Sequence, residues 1–194
     1  MSALANPRYT PEQYLEIERN ADYKSEYLSG EMFAMAGSTE QHALITWNIS
    51  GELRSLFKGR PCKAYSPDLR VQVTGSGLYT YPDVVVLCGK PRFADSHLDT
   101  LLNPNVIVEV LSPSTEAFDR GEKFAHYRKL DTLTDYILVA QDKVRVEHFV
   151  RQPNNDWLLH AADGLEEVIT LESIDCRLSL SEIYDKVSFD VPPF

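Results

Sequence analysis

The sequence predicts an α/β fold in which helices flank a central mixed β-sheet. Stretches with helical spacing of apolar residues alternate along the chain with short apolar runs typical of strands. Two of these runs, 81–88 and 105–111, are apolar on both faces, which is typical of strands in the middle of a covered sheet. The chain has no internal repeat, low-complexity tract or long linker, so we expect a single domain over residues 1–194.

The N-terminal part predicts a short helix followed by a hairpin. Thr10-Pro11 favours a helix start, because proline lacks the N–H group that a first-turn residue leaves unpaired. Residues 24–36 contain two strand-like runs separated by Ser29-Gly30, a pair suited to a tight turn. This hairpin is expected to begin the sheet.

A long amphipathic helix is predicted after the hairpin. Ser38 and Gln41 have the spacing of a capping box, and apolar residues then recur at helical intervals as far as Gly59. Runs with strand character follow at 63–73, with a break expected near Pro67, and at 81–88, 105–111, 136–140, 144–150 and 157–161. The pattern at 115–130 is helical, and Ser179 with Glu182 predicts a last helix in an accessory C-terminal β/α segment.

The cysteines and the lengths of the apolar runs indicate the cellular compartment of the protein. Cys62, Cys88 and Cys176 are odd in number, widely spaced and outside any CxxC or Cys/His cluster, so we interpret them as small buried apolar residues in a reducing cytosol. No stretch approaches the ~18 apolar residues that a membrane span needs. We expect a cytoplasmic protein with no membrane partner.

Charge argues against tight, nonspecific coating of nucleic acid. Nineteen Lys and Arg against 29 Asp and Glu give a formal net charge of −10, whereas proteins that neutralise duplex phosphates usually have a basic surface. Two groups of cations could still form a basic face: Lys58, Arg60 and Lys63, and Arg120, Lys123, Arg128 and Lys129. Ordinary solvated helix ends are the favoured interpretation of both groups.

Two acidic residues on the apolar strands carry the main chemical signal. Asp83 follows Pro82 at the entrance of one strand, where the proline interrupts no strand pairing. Glu109 lies inside the other strand, where an ionised carboxylate without a partner costs several kcal/mol. A second carboxylate at a neighbouring strand end favours a metal over a basic side chain, and oxygen donors suit Mg²⁺.

At these residues the chain resembles the PD-(D/E)XK nucleases, in which a Pro-Asp pair precedes an acid on the next strand and a lysine two residues later. Pro82-Asp83 and Glu109 match, but the lysine position is Leu111, on the same face of the strand as Glu109. The wider run EVLSPSTEAFDRGEKFAHYRKL, with SEYLSGE and YPDVVV upstream, resembles the Uma-type family of endonucleases, common in cyanobacteria, over most of the chain.

This resemblance implies a restriction-endonuclease-like fold, DNA endonuclease activity and a lysine displaced to the helix after the acidic strand, here Lys123. Other interpretations stay open. Asp83 could be a turn or cap residue, and Glu109 could belong to a structural ion pair. Lys123 could form an exposed helix pair with Asp119, four residues before it.

Two further residues are weaker catalytic candidates. Glu26 lies in the first hairpin strand and could add a carboxylate to the metal or hold its water, although a solvent-facing glutamate fits equally well. His42 lies on the apolar stripe of its helix, which favours a hydrogen-bonded core histidine. Alternatively, His42 could orient a carboxylate or a phosphate.

The hypothesis is therefore hydrolysis of DNA phosphodiester bonds, in which Asp83, Glu109 and the Val110 carbonyl hold one or two Mg²⁺, with Mn²⁺ as a substitute. Lys123 would orient the attacking water or offset charge in the transition state. Cutting two strands favours a homodimer. A nonenzymatic DNA-binding or assembly protein is the main alternative, favoured by Leu111 and the net acidity, and a hydrolase of smaller phosphoesters is another. The spacing fits DNA and RNA, and endo and exo cleavage, equally well.

Overall fold

Two β-sheets, a small β-ribbon and five helices make up the fold in the computed structural model, which describes residues 8–189. The helices are α1 (Pro11–Asn20), α2 (Glu40–Leu56), α3 (Glu116–Phe118), α4 (Phe124–Tyr127) and α5 (Leu180–Ile183). A π-helical turn (Asp119–Lys123) joins α3 to α4, and a 3-10 turn (Glu172–Ile174) precedes the last strand. Across these residues, no helix has the length and apolarity needed to cross a membrane.

The strands belong to sheets of six, five and two strands. They are β1 (Ser25–Leu28), β2 (Glu31–Ala34), β3 (Cys62–Tyr65), β4 (Arg70–Val73), β5 (Leu78–Thr80), β6 (Val84–Cys88), β7 (Thr100–Leu101), β8 (Val106–Leu111), β9 (Asp135–Ala140), β10 (Val146–Arg151), β11 (Trp157–Ala162), β12 (Val168–Leu171) and β13 (Cys176–Ser179). The large sheet has the order β11-β10-β9-β8-β6-β3, the second sheet β2-β1-β5-β4-β7, and β12 pairs with β13.

The large sheet is the predicted central mixed sheet. Its strands β8 and β9 are parallel, whereas β6 and β8 are antiparallel. Both β6 and β8 are covered on both faces, which confirms the interpretation of their apolar sequences. The hairpin β1-β2 is also confirmed, with Ser29 and Gly30 both at positive φ in the turn, but it lies in the second sheet.

Two apolar cores cover the two faces of the large sheet. On one face, Ile45, Ile49 and Leu53 of α2 pack against alternate valines of β6 and β8. On the other face, Ile107 and Leu111 of β8 pack with residues of the second sheet and of α4. Because side chains alternate along a strand, Glu109 shares the second face with these two residues.

The break expected in the run 63–73 near Pro67 is confirmed, and its two halves are strands in different sheets. Several other boundaries differ from the sequence prediction. Thr39, not Ser38, caps α2 by accepting a hydrogen bond from the His42 N–H. At α5, Ser179 occupies the N-cap position without a side-chain capping bond. The short strands β5 and β7 have no signal of their own in the sequence because they span only three and two residues.

The interpretation of the cysteines as three separate buried residues is wrong for two of them. Cys62 and Cys88 are paired in a disulfide, and Cys176 is buried with a free thiol. The two bonded residues lie directly opposite each other in the β3-β6 register. The two cysteines are 26 residues apart in sequence and meet only because their strands are aligned, so no local cysteine motif predicts the bond.

A buried arginine connects α1 to the second sheet. Arg70 is 2% exposed and donates to Thr100 and Tyr81 at 3.0 and 2.9 Å and to Asp99 at 3.0 Å. Arg19 of α1 donates to the same Asp99 carboxylate. The hydrogen bonds from Arg19 hold the pKa of Asp99 well below its usual range, although partial burial opposes this effect.

The disulfide predicts the thiol content of the protein. Purified in air without reductant and then unfolded, it should present one reactive thiol per chain, and three after reduction. Titration with a chromogenic thiol reagent measures both values. The Cys176→Ser variant is the control and should show none before reduction. Three thiols in the unreduced wild-type protein would contradict the pairing.

The Arg19-Asp99-Arg70 contact predicts a pH-dependent stability. Asp99→Asn should lower the free energy of unfolding at pH 7 by about 1 kcal/mol, a value reduced for the partial exposure of Asp99. Because the pKa of Asp99 is depressed in the folded state, its contribution is present above the unfolded-state pKa of about 3.9 and is lost as the pH falls below it. Urea unfolding from pH 7 to pH 2 should show the two proteins converging. A constant difference would rule out the ionised contact as its source.

Candidate active site

A cleft of about 1940 Å³ lies between α2, the β1-β2 hairpin and the π turn. All five residues predicted to be catalytic line it: Glu26, His42, Asp83, Glu109 and Lys123. Val110, predicted to contribute its carbonyl, lines it as well. These residues come from separate parts of the sequence and from both main sheets, so the fold brings the predicted set together.

Strand register places Asp83 beside Glu109. In the antiparallel β6-β8 pair, Val84 lies opposite Val108, so Asp83, immediately before β6, is level with Glu109. Asp83 accepts a hydrogen bond on Oδ2 from the Val110 N–H at 2.7 Å. The carboxylate of Asp83 is therefore held against the backbone of β8.

Lys123 is the cation beside the acidic strand. Its Nζ lies 3.0 Å from Glu109 Oε1, 3.1 Å from Glu26 Oε1 and 3.4 Å from Asp119 Oδ1. The alternative of an exposed helix pair with Asp119 is wrong about exposure, because the Lys123 side chain is 8% exposed and the Asp119 side chain 4%. The π turn holds both residues, and π-helical turns of this kind recur at functional sites.

Hydroxyl groups fix the two glutamates. Tyr127 donates to Glu109 Oε1 at 2.7 Å, and Thr80 of β5 donates to Glu26 Oε1. The Thr80 and Tyr127 oxygens are themselves 3.4 Å apart. Glu26 therefore belongs to a connected polar network, and the solvent-facing interpretation of this residue is wrong.

His42 contacts the other acidic residue of the pair. Its Nε2 lies 3.3 Å from Asp83 Oδ2, and its side chain is 17% exposed in the wall of the cleft. Of the two alternatives for this histidine, the geometry fits the one in which it orients a carboxylate. Burial opposes protonation, but the contact with Asp83 outweighs it and raises the pKa of His42.

The cluster around Lys123 has an excess of negative charge. Three carboxyl groups, those of Glu26, Glu109 and Asp119, surround one ammonium group. Burial raises the pKa of Glu109 to about 8 and also raises that of Asp119. Burial opposes the charge on Lys123 as well, yet these carboxylates, with Glu109 foremost, raise its pKa well above the usual range. An additional cation would therefore stabilise the ionised carboxylates.

The donor set fits a hard divalent cation. Within residues 8–189, Asp83 Oδ1 and Glu109 Oε2 accept no hydrogen bond, and both residues line the cleft. Two carboxylate oxygens with room for water are the ligands that Mg²⁺ uses. In the same part of the chain, no group of three or more His, Cys, Asp or Glu side chains is arranged around one metal position, so a cation here would depend on two carboxylates and other oxygens.

Three members of the network have no clear signal in the sequence. Asp119 is noticed there only as a partner of Lys123, while Thr80 and Tyr127 lie on a three-residue strand and a short helix.

Only some members of the two predicted groups of basic residues line the cleft. Lys58 and Lys63 line the cleft, whereas Arg60 donates to the carbonyls of Ile174 and Asp175, and Arg120 pairs with Glu116 and Glu147.

Comparison with known proteins finds relatives along most of the chain. The uncharacterized protein slr1290 of Synechocystis is 36% identical over 186 residues, covering 94% of this chain and 95% of its own. The uncharacterized protein sll1609 of the same organism is 37% identical over 150 residues, covering 77% of this chain and 85% of its own.

A solved structure has the same fold. The crystal structure of "a putative nuclease belonging to DUF820" from Anabaena variabilis superimposes with a TM-score of 0.73 at 18% identity, covering 91% of this chain and 97% of that one. This agreement supports the predicted restriction-endonuclease-like architecture. Residues 11–181 match the Uma2 family, described as "Putative restriction endonuclease". The chain therefore belongs to the Uma2 family of restriction-endonuclease-like proteins, as its sequence motifs indicated.

Proposed function

We propose that this protein is a Mg²⁺-dependent endonuclease that hydrolyses DNA phosphodiester bonds. The observation that carries the proposal is the pairing of Asp83 and Glu109 in the cleft, each with an oxygen free to bind a cation, beside the buried ammonium of Lys123. Membership of a family described as restriction endonucleases supports the choice of a phosphodiester substrate.

Asp83 and Glu109 are the proposed ligands of the cation, with the Val110 carbonyl as a third oxygen donor. When bound, Mg²⁺ or Mn²⁺ neutralises charge on the scissile phosphate and makes water a stronger nucleophile. The protein holds the two carboxylates ready for this, because the Val110 N–H fixes Asp83 and the Tyr127 hydroxyl fixes Glu109.

Lys123 acts as a positive charge and hydrogen-bond donor, not as a base. Its carboxylate neighbours keep it protonated at neutral pH, so it has no lone pair with which to accept a proton from water. Three carboxylates face its three N–H donors, and from this position its ammonium group can offset charge that develops on the phosphate. Glu26 positions Lys123, and His42 positions Asp83.

The geometry weakens the nonenzymatic alternative. That interpretation depended on the net acidity and on Leu111 at the expected lysine position, and Leu111 does pack in the apolar core of its face. The ammonium of Lys123 nevertheless lies next to Glu109, so a cation is present where the sequence pattern lacks one. If the substrate is duplex DNA cut on both strands, we expect a two-fold homodimer.

The activity test uses plasmid, linear duplex and single-stranded DNA with Mg²⁺ or Mn²⁺. We expect the wild type to cut and the Asp83→Asn and Glu109→Gln variants to lose about 100-fold or more in rate, because each loses a charged cation ligand. Asp131→Asn, an exposed acid outside the cleft, is the matched control and should keep full rate. Cleavage by Asp83→Asn at the wild-type rate would identify a contaminating nuclease and contradict the proposal. A wild-type protein that cuts none of the substrates would contradict it as well.

The charges of the cluster predict that replacing Lys123 destabilises the protein much more than replacing Glu109 does. Lys123→Met should lower the free energy of unfolding at pH 7 by about 3 kcal/mol, because it leaves buried carboxylates without their cation. Glu109→Gln keeps the volume and resembles the protonated carboxyl that a pKa of about 8 favours at pH 7, so its effect should stay below about 1 kcal/mol. Urea unfolding in EDTA measures both. A Lys123→Met protein as stable as the wild type would show that the ammonium does not hold the cluster together.

A further inference from the structure

The cleft extends beyond the acidic cluster along one face of α2. The residues of α2 that line it recur at helical spacing on the face beside the buried stripe of Ile45, Ile49 and Leu53: they are His42, Ala43, Thr46, Trp47, Ser50, Gly51 and Arg54. The thirteen residues from His42 to Arg54 correspond to about 18 Å of helix. The cleft is thus longer than a site for a single phosphate and its metal.

Large apolar side chains are exposed in this part of the cleft. Trp47 is 76% exposed, and Phe33 on the facing hairpin is 51% exposed. Within residues 8–189, the Trp47 ring makes no contact with another aromatic ring. Ser50 and Gly51 lie one turn further along α2, and because serine has a small side chain and glycine has none, the helix surface beside the ring is shallow. A flat aromatic face next to a shallow backbone surface is suited to stacking against another flat ring.

The charges of the cleft are segregated. Every acidic side chain that lines it lies in the Lys123 cluster, in Asp83 or in the π turn. Beyond them, the charged residues are all basic: Lys24, Arg54, Lys58 and Lys63. Lys24 pairs with Asp68, but over residues 8–189 the other three form no salt bridge. In a chain with a net charge of −10, three unpaired cations that line one cleft form a local site for anions.

We propose that this part of the cleft binds an unpaired nucleic-acid strand, with a base stacked on Trp47 and phosphates on Arg54 of α2, on Lys58 just after α2 and on Lys63 of β3. The strand would run along α2 towards Asp83 and Glu109. This inference deepens the proposed nuclease function and rests on it for the choice of a nucleic acid. The chemical class of the substrate is then a single strand, or an unpaired segment such as a flap, in preference to intact duplex.

Two physical arguments select the unpaired strand over duplex. The bases of a duplex stack on one another, so the exposed ring of Trp47 has no free base face to meet, whereas a single strand offers one at every nucleotide. Duplex binding also draws most of its affinity from neutralised phosphates, and three cations supply few such contacts.

The same charges argue against a second copy of the chain as the occupant. In a two-fold dimer the same patch meets itself, so Arg54, Lys58 and Lys63 of each copy would be brought towards those of the other. Like charges facing each other destabilise such an interface. A polyanion satisfies both the aromatic and the basic part of the cleft.

Binding can be measured apart from cleavage. In EDTA, a labelled single-stranded oligothymidylate and a labelled duplex of equal length are titrated with protein and followed by fluorescence anisotropy. We expect the single strand to bind about tenfold more tightly than the duplex, and Trp47→Ala to weaken single-strand binding about tenfold. Trp47→Phe should keep most of the affinity, because an aromatic face remains. Leu98→Ala, which removes an exposed apolar side chain outside the cleft, should have no effect.

Direct contact with Trp47 can be observed separately. The chain has two tryptophans, so Trp157→Phe leaves Trp47 as the single indole fluorophore. Its fluorescence should be quenched by the oligonucleotide and should become less accessible to acrylamide. An unchanged signal during binding would place the strand elsewhere and overturn the proposal.

Salt dependence tests the basic part of the cleft. Arg54→Ala, Lys58→Ala and Lys63→Ala should each reduce the slope of log affinity against log salt by about 0.7, the value for one phosphate of a single strand. Lys129→Ala, an exposed lysine outside the cleft, should leave the slope unchanged. Equal slopes in all four variants would contradict the assignment.

The outcomes separate this inference from the proposed function. Single-strand binding that depends on Trp47, in a protein that cuts nothing, would support the inference and reject the nuclease. Cutting of duplex without preference, unaffected by Trp47→Ala, would support the nuclease and overturn the inference. A wild-type dimer that Trp47→Ala converts to a monomer in light scattering would also overturn it, because the face would then be a protein interface.

Discussion

The buried ammonium of Lys123 is the contact on which the geometry of the site depends. Its three carboxylate partners belong to β1 of the second sheet, to β8 of the large sheet and to the π turn. A single charge thus joins two sheets and a helix at the floor of one cleft. Because the acids outnumber it, the arrangement is stable only while the ammonium stays charged or another cation shares its role.

The acidic half of the site could be predicted from the sequence because its signals are local. An acid inside an apolar strand needs a partner wherever that strand lies, and the Pro82-Asp83 pair at a second buried strand supplied the neighbour. Lys123 was reached through family resemblance alone, since strand periodicity pointed to Leu111. Asp119, Thr80 and Tyr127 were missed because their positions depend on a π turn and on contacts between sheets.

The fold shows the same difference between features set by local sequence and features set by contacts between distant residues. Helices, the hairpin and the covered strands follow from apolar spacing and turn residues. Pro67 marks the break in the run 63–73, but the placement of its two halves in different sheets depends on strand pairing, and the Cys62–Cys88 bond depends on the alignment of β3 with β6. Neither pairing has a sequence pattern of its own, because each is set by residues distant along the chain. Net charge was equally uninformative about the cleft, where acidic and basic side chains are separated in space.

The π turn has a consequence for how this family can change. A π turn accommodates one residue more than a regular helical turn, so losing a single residue between Asp119 and Lys123 would restore an ordinary helix. Asp119 and Lys123 would then be three residues apart, which in an ordinary helix places them about 60° apart around the axis. The deletion would therefore change the angle at which the two side chains approach Glu109. Substitutions on the exposed side of this helix leave that angle intact, whereas a change in its length does not, so helix length here is itself under chemical constraint.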